Sequence, residues 1–141
     1  MKLVRQIALI GAVIVSTGCA SGLNSFQKQE YQAMEADGVL VKEKNTTTGA
    51  LLGILPGGGS FYAGEAGLGV LNLLMWPVSI LWDPISGYNG AQSDNYFVSM
   101  QKLKKDKSEE ISKLDDKLAL KLITTEQYMV EKNQLEERYS Y

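Results

Sequence analysis

Residues 49–82 read GALLGILPGGGSFYAGEAGLGVLNLLMWPVSILW, a run in which Glu65 is the only charge. As one straight helix it would be about 51 Å long, well beyond the roughly 30 Å of a hydrocarbon core. The Gly64-Glu65-Ala66-Gly67 step divides it into two arms of about 16 residues, each at the short edge of spanning length. A break there puts the one charge at a turn, where water or headgroups solvate it; at mid-membrane it would mark a functional site. The second arm, 68–82, is the better helix, because Pro56-Gly57-Gly58-Gly59 interrupts the first. Tyr62, Trp76 and Trp82 are the aromatic residues expected at an interface. Left in water, two such arms would expose more apolar surface than soluble monomers carry. The stretch is therefore expected to enter a bilayer or to be buried in an oligomer.

Glycine has its own pattern here. Gly49, Gly53 and Gly57 recur at every fourth position, which puts bare backbone on one helix face and lets another helix approach closely. The competing reading is that 56–60 is simply a loop. It is not a phosphate-binding loop, since no Lys-Ser/Thr follows the glycines.

The amino terminus has the form of an export signal. Lys2 and Arg5 precede a short apolar run, residues 7–15, too short for a stable span and suited to a signal peptide over 1–18. Ser16-Thr17-Gly18-Cys19-Ala20-Ser21 follows. This resembles a bacterial lipobox, with Thr17 and Gly18 matching and Ser16 standing where leucine is usual. The resemblance implies acylation of Cys19, which becomes the mature amino terminus of a lipoprotein. Ordinary cleavage after Ala20, an uncleaved anchor and a buried thiol are the other readings. An unpaired cysteine in an exported chain would otherwise be a free reactive thiol. In the sorting logic of lipoproteins, Ala20 after the cysteine, in place of Asp, favours release to the outer membrane.

Composition excludes several chemistries. There is no histidine and one cysteine, so histidine relays, an internal disulfide and a cysteine zinc cluster are out. The net charge is −2, and no basic stripe offers a surface for nucleic acid. Glu65, Asp83 and Asp94 are the acids of the middle region, and no nucleophile, base and orienting partner can be assembled around them.

Within the apolar stretch, Gly57 to Gly64 (GGGSFYAG), Gly69 and the Trp82-Asp83 exit resemble the two-transmembrane hairpin domain family. Phe61, Tyr62, Gly64, Gly69 and Asp83 match its positions, while Ser60 replaces a usual basic residue. The resemblance implies an integral membrane hairpin without catalytic chemistry.

The flanks are polar. Asn24 or Ser25 can cap a helix that runs to about Ala36 and ends at Gly38. Residues 39–41 form a possible short strand, and 42–48 a spacer. Residues 83–90 (DPISGYNG) read as turn chemistry opening a connector over 85–98. From about Tyr96, Met100, Leu103, Ile111, Leu114, Leu118 and Leu122 recur at helical spacing. Thr124 with Gln127 forms a capping box for a second helix carrying Tyr128, Leu135 and Tyr139. This tail resembles the short C-terminal (SHOCT) domain, with Ile123, Thr124, Glu126, Tyr128, Lys132 and Leu135 in register. Lys121 stands at the family's turn glycine, which requires either a left-handed lysine or a different bend. The resemblance implies an accessory module for oligomerisation through Leu114, Leu118, Ile123, Tyr128 and Leu135.

The expected fold is mainly α: signal peptide (1–18), lipidated amino terminus and spacer (19–48), Gly-rich apolar membrane hairpin (49–84), connector (85–98) and an antiparallel helical pair (99–141). The expected function is that of a non-enzymatic, lipid-anchored component of the bacterial cell envelope, structural or assembling. Its partners would be membrane lipid and either further copies or another envelope protein, with no cofactor, metal or nucleic acid. A spanning hairpin places it in the inner membrane, whereas Ala20 points to the outer one. A second reading is a module that binds lipid or a small apolar ligand at the Gly-rich segment and the loop after Trp82.

Overall fold

The first helix is closed by a reciprocal cap. Asn24 Oδ1 accepts from the Gln27 amide at 2.9 Å, and the Asn24 amide donates to Gln27 Oε1 at 3.0 Å. A computed structural model describes residues 22–141, so the expected signal peptide (1–18) and Cys19 lie outside the described residues. Helix α1 spans Ser25–Ala36, and Gly38 turns the chain with φ +70°. Then follow α2 (Thr46–Leu52), α3 (Gly58–Tyr62), α4 (Ala66–Leu74), a 3-10 turn (Val78–Leu81), α5 (Asp83–Ala119) and α6 (Thr125–Arg138). The protein is mainly helical.

Three expectations need correction. Residues 39–41 are not a strand, and none occurs among the described residues. The amides of Val39 and Leu40 both donate to the Met34 carbonyl, and that of Val41 to Ser99 Oγ at 2.8 Å. The two long apolar arms do not form either. Gly57 (φ +70°) and Gly64 (φ +87°) take left-handed turns on either side of α3. Helix α4 stops at Leu74, before Pro77, which cannot donate to a continuing helix. No helix among the described residues is long and apolar enough to cross a membrane. The connector over 85–98 is also helix, as part of α5. Pro84 falls in the first turn, where its missing N–H has no helical carbonyl to lose.

The described chain forms two compact units, one from 22–28 and 42–95, the other from 29–41 and 96–141. Helices α1 and α5 contribute residues to both, so the units interleave along the chain.

The first unit buries the residues that a water-soluble domain usually exposes. Apart from Leu23 and Ala91, its buried residues are all glycine or polar, among them Ser60, Asn72, Ser79, Asp83, Ser86 and Asn95. Large apolar side chains point outward from its helices and turns, including Leu51, Leu55, Leu74, Trp76, Leu81 and Ile85.

The second unit has an apolar core containing Tyr31, Met34, Tyr96, Leu114 and Leu135. Tyr128 donates to Asp115 and Tyr139 to Glu110, so α6 runs antiparallel to the end of α5. Thr124 and Gln127 form the expected capping box, and Lys121 adopts the left-handed conformation with φ +57°. Leu114 and Leu135, expected on an assembly face, are spent inside the chain; Leu118, Ile123 and Tyr128 are half-buried.

Candidate functional site

Two local conditions build the centre of the first unit. The turn after Gly57 opens α3 with free amides at Gly59 and Ser60, and α5 begins with an acid, Asp83. Asp83 Oδ2 accepts from the Gly59 amide at 3.0 Å, and Oδ1 from the Ser60 amide at 3.0 Å and Ser60 Oγ at 2.6 Å. Asn72 Nδ2 donates to both Asp83 Oδ1 (2.8 Å) and Ser60 Oγ (2.9 Å), and Asn72 Oδ1 accepts from Trp82 Nε1 at 2.9 Å. The carboxylate thus serves as the N-cap that α3 lacks in its own sequence, and also sits in the first turn of α5, where negative charge is favoured.

A serine hydroxyl hydrogen-bonded to a carboxylate has a catalytic look, yet Ser60 and Asp83 are each 0% exposed. The hydroxyl's proton is committed to the carboxylate and its lone pair to Asn72. The arrangement is a clasp that ties α3, α4 and Trp82 to the start of α5. Among the described residues no group of acids could hold a metal ion.

Glycine lets the backbones close around this clasp. A Cβ on Gly49 would overlap the Gly87 carbonyl, one on Gly53 the backbone of Pro84, and one on Gly59 the Asp83 carbonyl. The spacing of Gly49 and Gly53 therefore does bring a helix close, and that helix is the first part of α5. Gly57 instead abuts the Gly69 carbonyl from the turn.

The remaining singled-out residues fall on the periphery. Tyr62 Oη accepts from the Asn45 amide at 2.9 Å, and Lys44 Nζ lies 5.8 Å from its ring centre. Lys44 also pairs with Asp94 and exchanges two hydrogen bonds with Asn95 through its backbone. Phe61 packs across Gly69 while remaining part-exposed, Gly64 makes its turn, and Glu65 is exposed beside it. Trp76 is 52% exposed. Close backbone approaches join the Gly-rich segment to the start of α5. Asn72, Ser79, Ser86 and Asn95 escaped sequence reasoning. The lone amide Asn72 in the apolar α4 was the available signal, since a polar side chain in such a helix needs a partner.

In the second unit an apolar groove is lined by Phe97, Met100, Leu103, Tyr139 and Tyr141. Tyr139 donates to Glu110 and Tyr141 to Asp37, and both hydrogen bonds raise the phenol pKa above its ordinary value. Comparison of the chain with protein-family models, curated proteins and solved structures finds no match.

Proposed function

We propose that this protein is a lipid-anchored component of the bacterial cell envelope, with a structural or assembling role and no catalysis of its own. The observation that carries this reading is the inverted first unit, with polar residues and glycine inside and apolar side chains outside. A freely dissolved monomer would leave 13 large apolar side chains between Leu51 and Ile85 exposed to water, a concentration of apolar surface that marks a membrane or interaction site. The signal-like segment and the lipobox-like Cys19 supply the anchor, since two or three acyl chains bind a membrane stably where one does not. The resemblance of the tail to the short C-terminal domain points the same way. No helix among the described residues is both long and apolar enough to cross a bilayer, so no spanning hairpin holds the protein in the inner membrane on this reading. Ala20 then favours the outer membrane.

The test is labelling of cells with radioactive palmitate, native chain against Cys19→Ala, followed by separation of inner and outer membranes. Label in the native chain alone, in the outer-membrane fraction, is the expected result. An unlabelled native chain refutes the lipoprotein assignment.

The groove lined by Phe97, Met100 and the two C-terminal tyrosines favours a second reading, a module that holds lipid or a small apolar molecule. Sedimentation of the detergent-solubilised protein separates the two. An assembly supports the first reading, and a monomer carrying bound lipid supports the second.

A further inference from the structure

The apolar exterior of the first unit extends over nearly every helix that builds it. Leu51 lies on α2, Phe61 on α3, Leu73 and Leu74 on α4, Leu81 on the 3-10 turn and Ile85 on α5, each 45% exposed or more. We propose that these side chains lie among the acyl chains of a single membrane leaflet, which makes the unit an in-plane membrane body. The inference deepens the lipid-anchor reading and rests on it.

Three observations choose lipid over a protein partner. First, the exposed apolar side chains come from five successive elements (α2, α3, α4, the 3-10 turn and the start of α5), and a fluid acyl phase covers such a set without needing a shape-matched partner surface. Second, the Asp83 carboxylate, the Ser60 hydroxyl and the Asn72 amide are satisfied inside the chain, while Ser86 Oγ is a buried exception nearby. Apolar surroundings demand this internal satisfaction of polar groups. Third, the chain fixes where the anchor emerges. Gly22 lies against the side chain of Asn89, and Leu23 is buried. Three residue steps separate Gly22 from Cys19, so the acylated sulfur attaches within about 11 Å of the folded unit. No tether is available to hold the unit away from the bilayer.

Element lengths give the depth. Helix α4 has nine residues, about 13.5 Å, less than half of a core of roughly 30 Å. An element of that length fits within one leaflet, with Glu65, just before its amino-terminal end, placed at the polar boundary. With Glu65 as the only charge in residues 49–82, attachment by this surface depends on apolar area and is insensitive to salt and to headgroup charge.

The test uses the mature acylated protein reconstituted into phosphatidylcholine vesicles, with and without bromine on the acyl chains. Bromine quenches tryptophan on contact, and Trp76 and Trp82 are the only tryptophans. The expected result is an emission about twofold lower in the brominated vesicles, as for an interfacial ring seated in acyl chains. Most of that difference should disappear in Trp76→Phe, and it should be the same at low and high salt. Leu81→Glu should reduce the quenching, and Leu120→Glu, on the other unit, should leave it unchanged, with helix content by circular dichroism equal in all variants. Protein that floats with the vesicles and carries palmitate but shows equal emission in both lipids overturns the inference and leaves the lipid anchor standing. Quenching without palmitate refutes the anchor and supports the surface. Cross-linked dimers with unquenched Trp76 would show that a second copy covers the face, which also overturns the inference.

Discussion

Ser60 Oγ donates a 2.6 Å hydrogen bond to Asp83 Oδ1, joining positions 23 apart in the sequence inside a sealed polar core. The bond belongs to a set of four donors on one carboxylate, and its consequences for stability are specific.

Asp83→Asn keeps the shape and replaces one accepting oxygen with an amino group. That group faces donors already present, either the Gly59 amide or the Ser60 and Asn72 donors. A buried donor left unpaired and the lost charge-assisted bonds should cost about 3 kcal/mol. Guanidinium unfolding followed by far-ultraviolet circular dichroism should show the midpoint fall. An unchanged midpoint would mean that the clasp contributes nothing.

Two buried serines of the same unit should respond with opposite signs. Ser60 Oγ both donates and accepts, so Ser60→Ala should destabilise by about 1–2 kcal/mol. Ser86 is 1% exposed, and its Oγ finds no hydrogen-bond partner. Ser86→Ala removes an unsatisfied buried hydroxyl and should be neutral or stabilising by up to about 1 kcal/mol. The same unfolding measurement compares them, and equal losses would contradict the bonding pattern.

Glycine positions divide in the same way. Gly49→Ala and Gly53→Ala force a methyl into the backbone of α5 and should cost about 2 kcal/mol or more each. Gly67 has nothing within 4 Å of an added Cβ and lies within α4, so Gly67→Ala should stabilise by about 0.5–1 kcal/mol. Lys121, at φ +57°, should gain about 1 kcal/mol on replacement by glycine. Thermal midpoints of the four variants check the ordering.

The second unit should weaken in alkali. Burial, with the Glu30 hydrogen bond and negative charge adding to it, pushes the Tyr96 phenol from 10.0 up to about 12. A group whose folded pKa is raised contributes stability that is complete below the unfolded value and is lost as pH climbs through the folded one. Unfolding midpoints should therefore fall between pH 10 and 12, and Tyr96→Phe should flatten that slope. A slope identical in the variant would assign the alkaline loss to other groups.

Elements governed by neighbours within one turn were legible from residue order alone. The cap at Asn24 or Ser25, the Thr124–Gln127 capping box, the stop at Gly38 and the helical spacing of Leu114 and Leu118 are of this kind, whereas at Lys121 the sequence left a left-handed turn and a different bend open. So was the unusual apolar character of 49–82, together with the close approach permitted by Gly49 and Gly53. Tertiary packing decided the rest. Pro84, Gly87, Asn89 and Gly90 look like loop residues, but α5 runs through them, because Gly49 and Gly59 need bare backbone opposite Gly87. The role of Asp83 was hidden for a similar reason: its donors come from residues 59, 60 and 72. Capping and helical propensity act over three or four residues, so they can be read along the chain. Burial and hydrogen-bond pairing act between distant segments, and only the folded protein sets which polar groups meet inside and which apolar ones are left facing out.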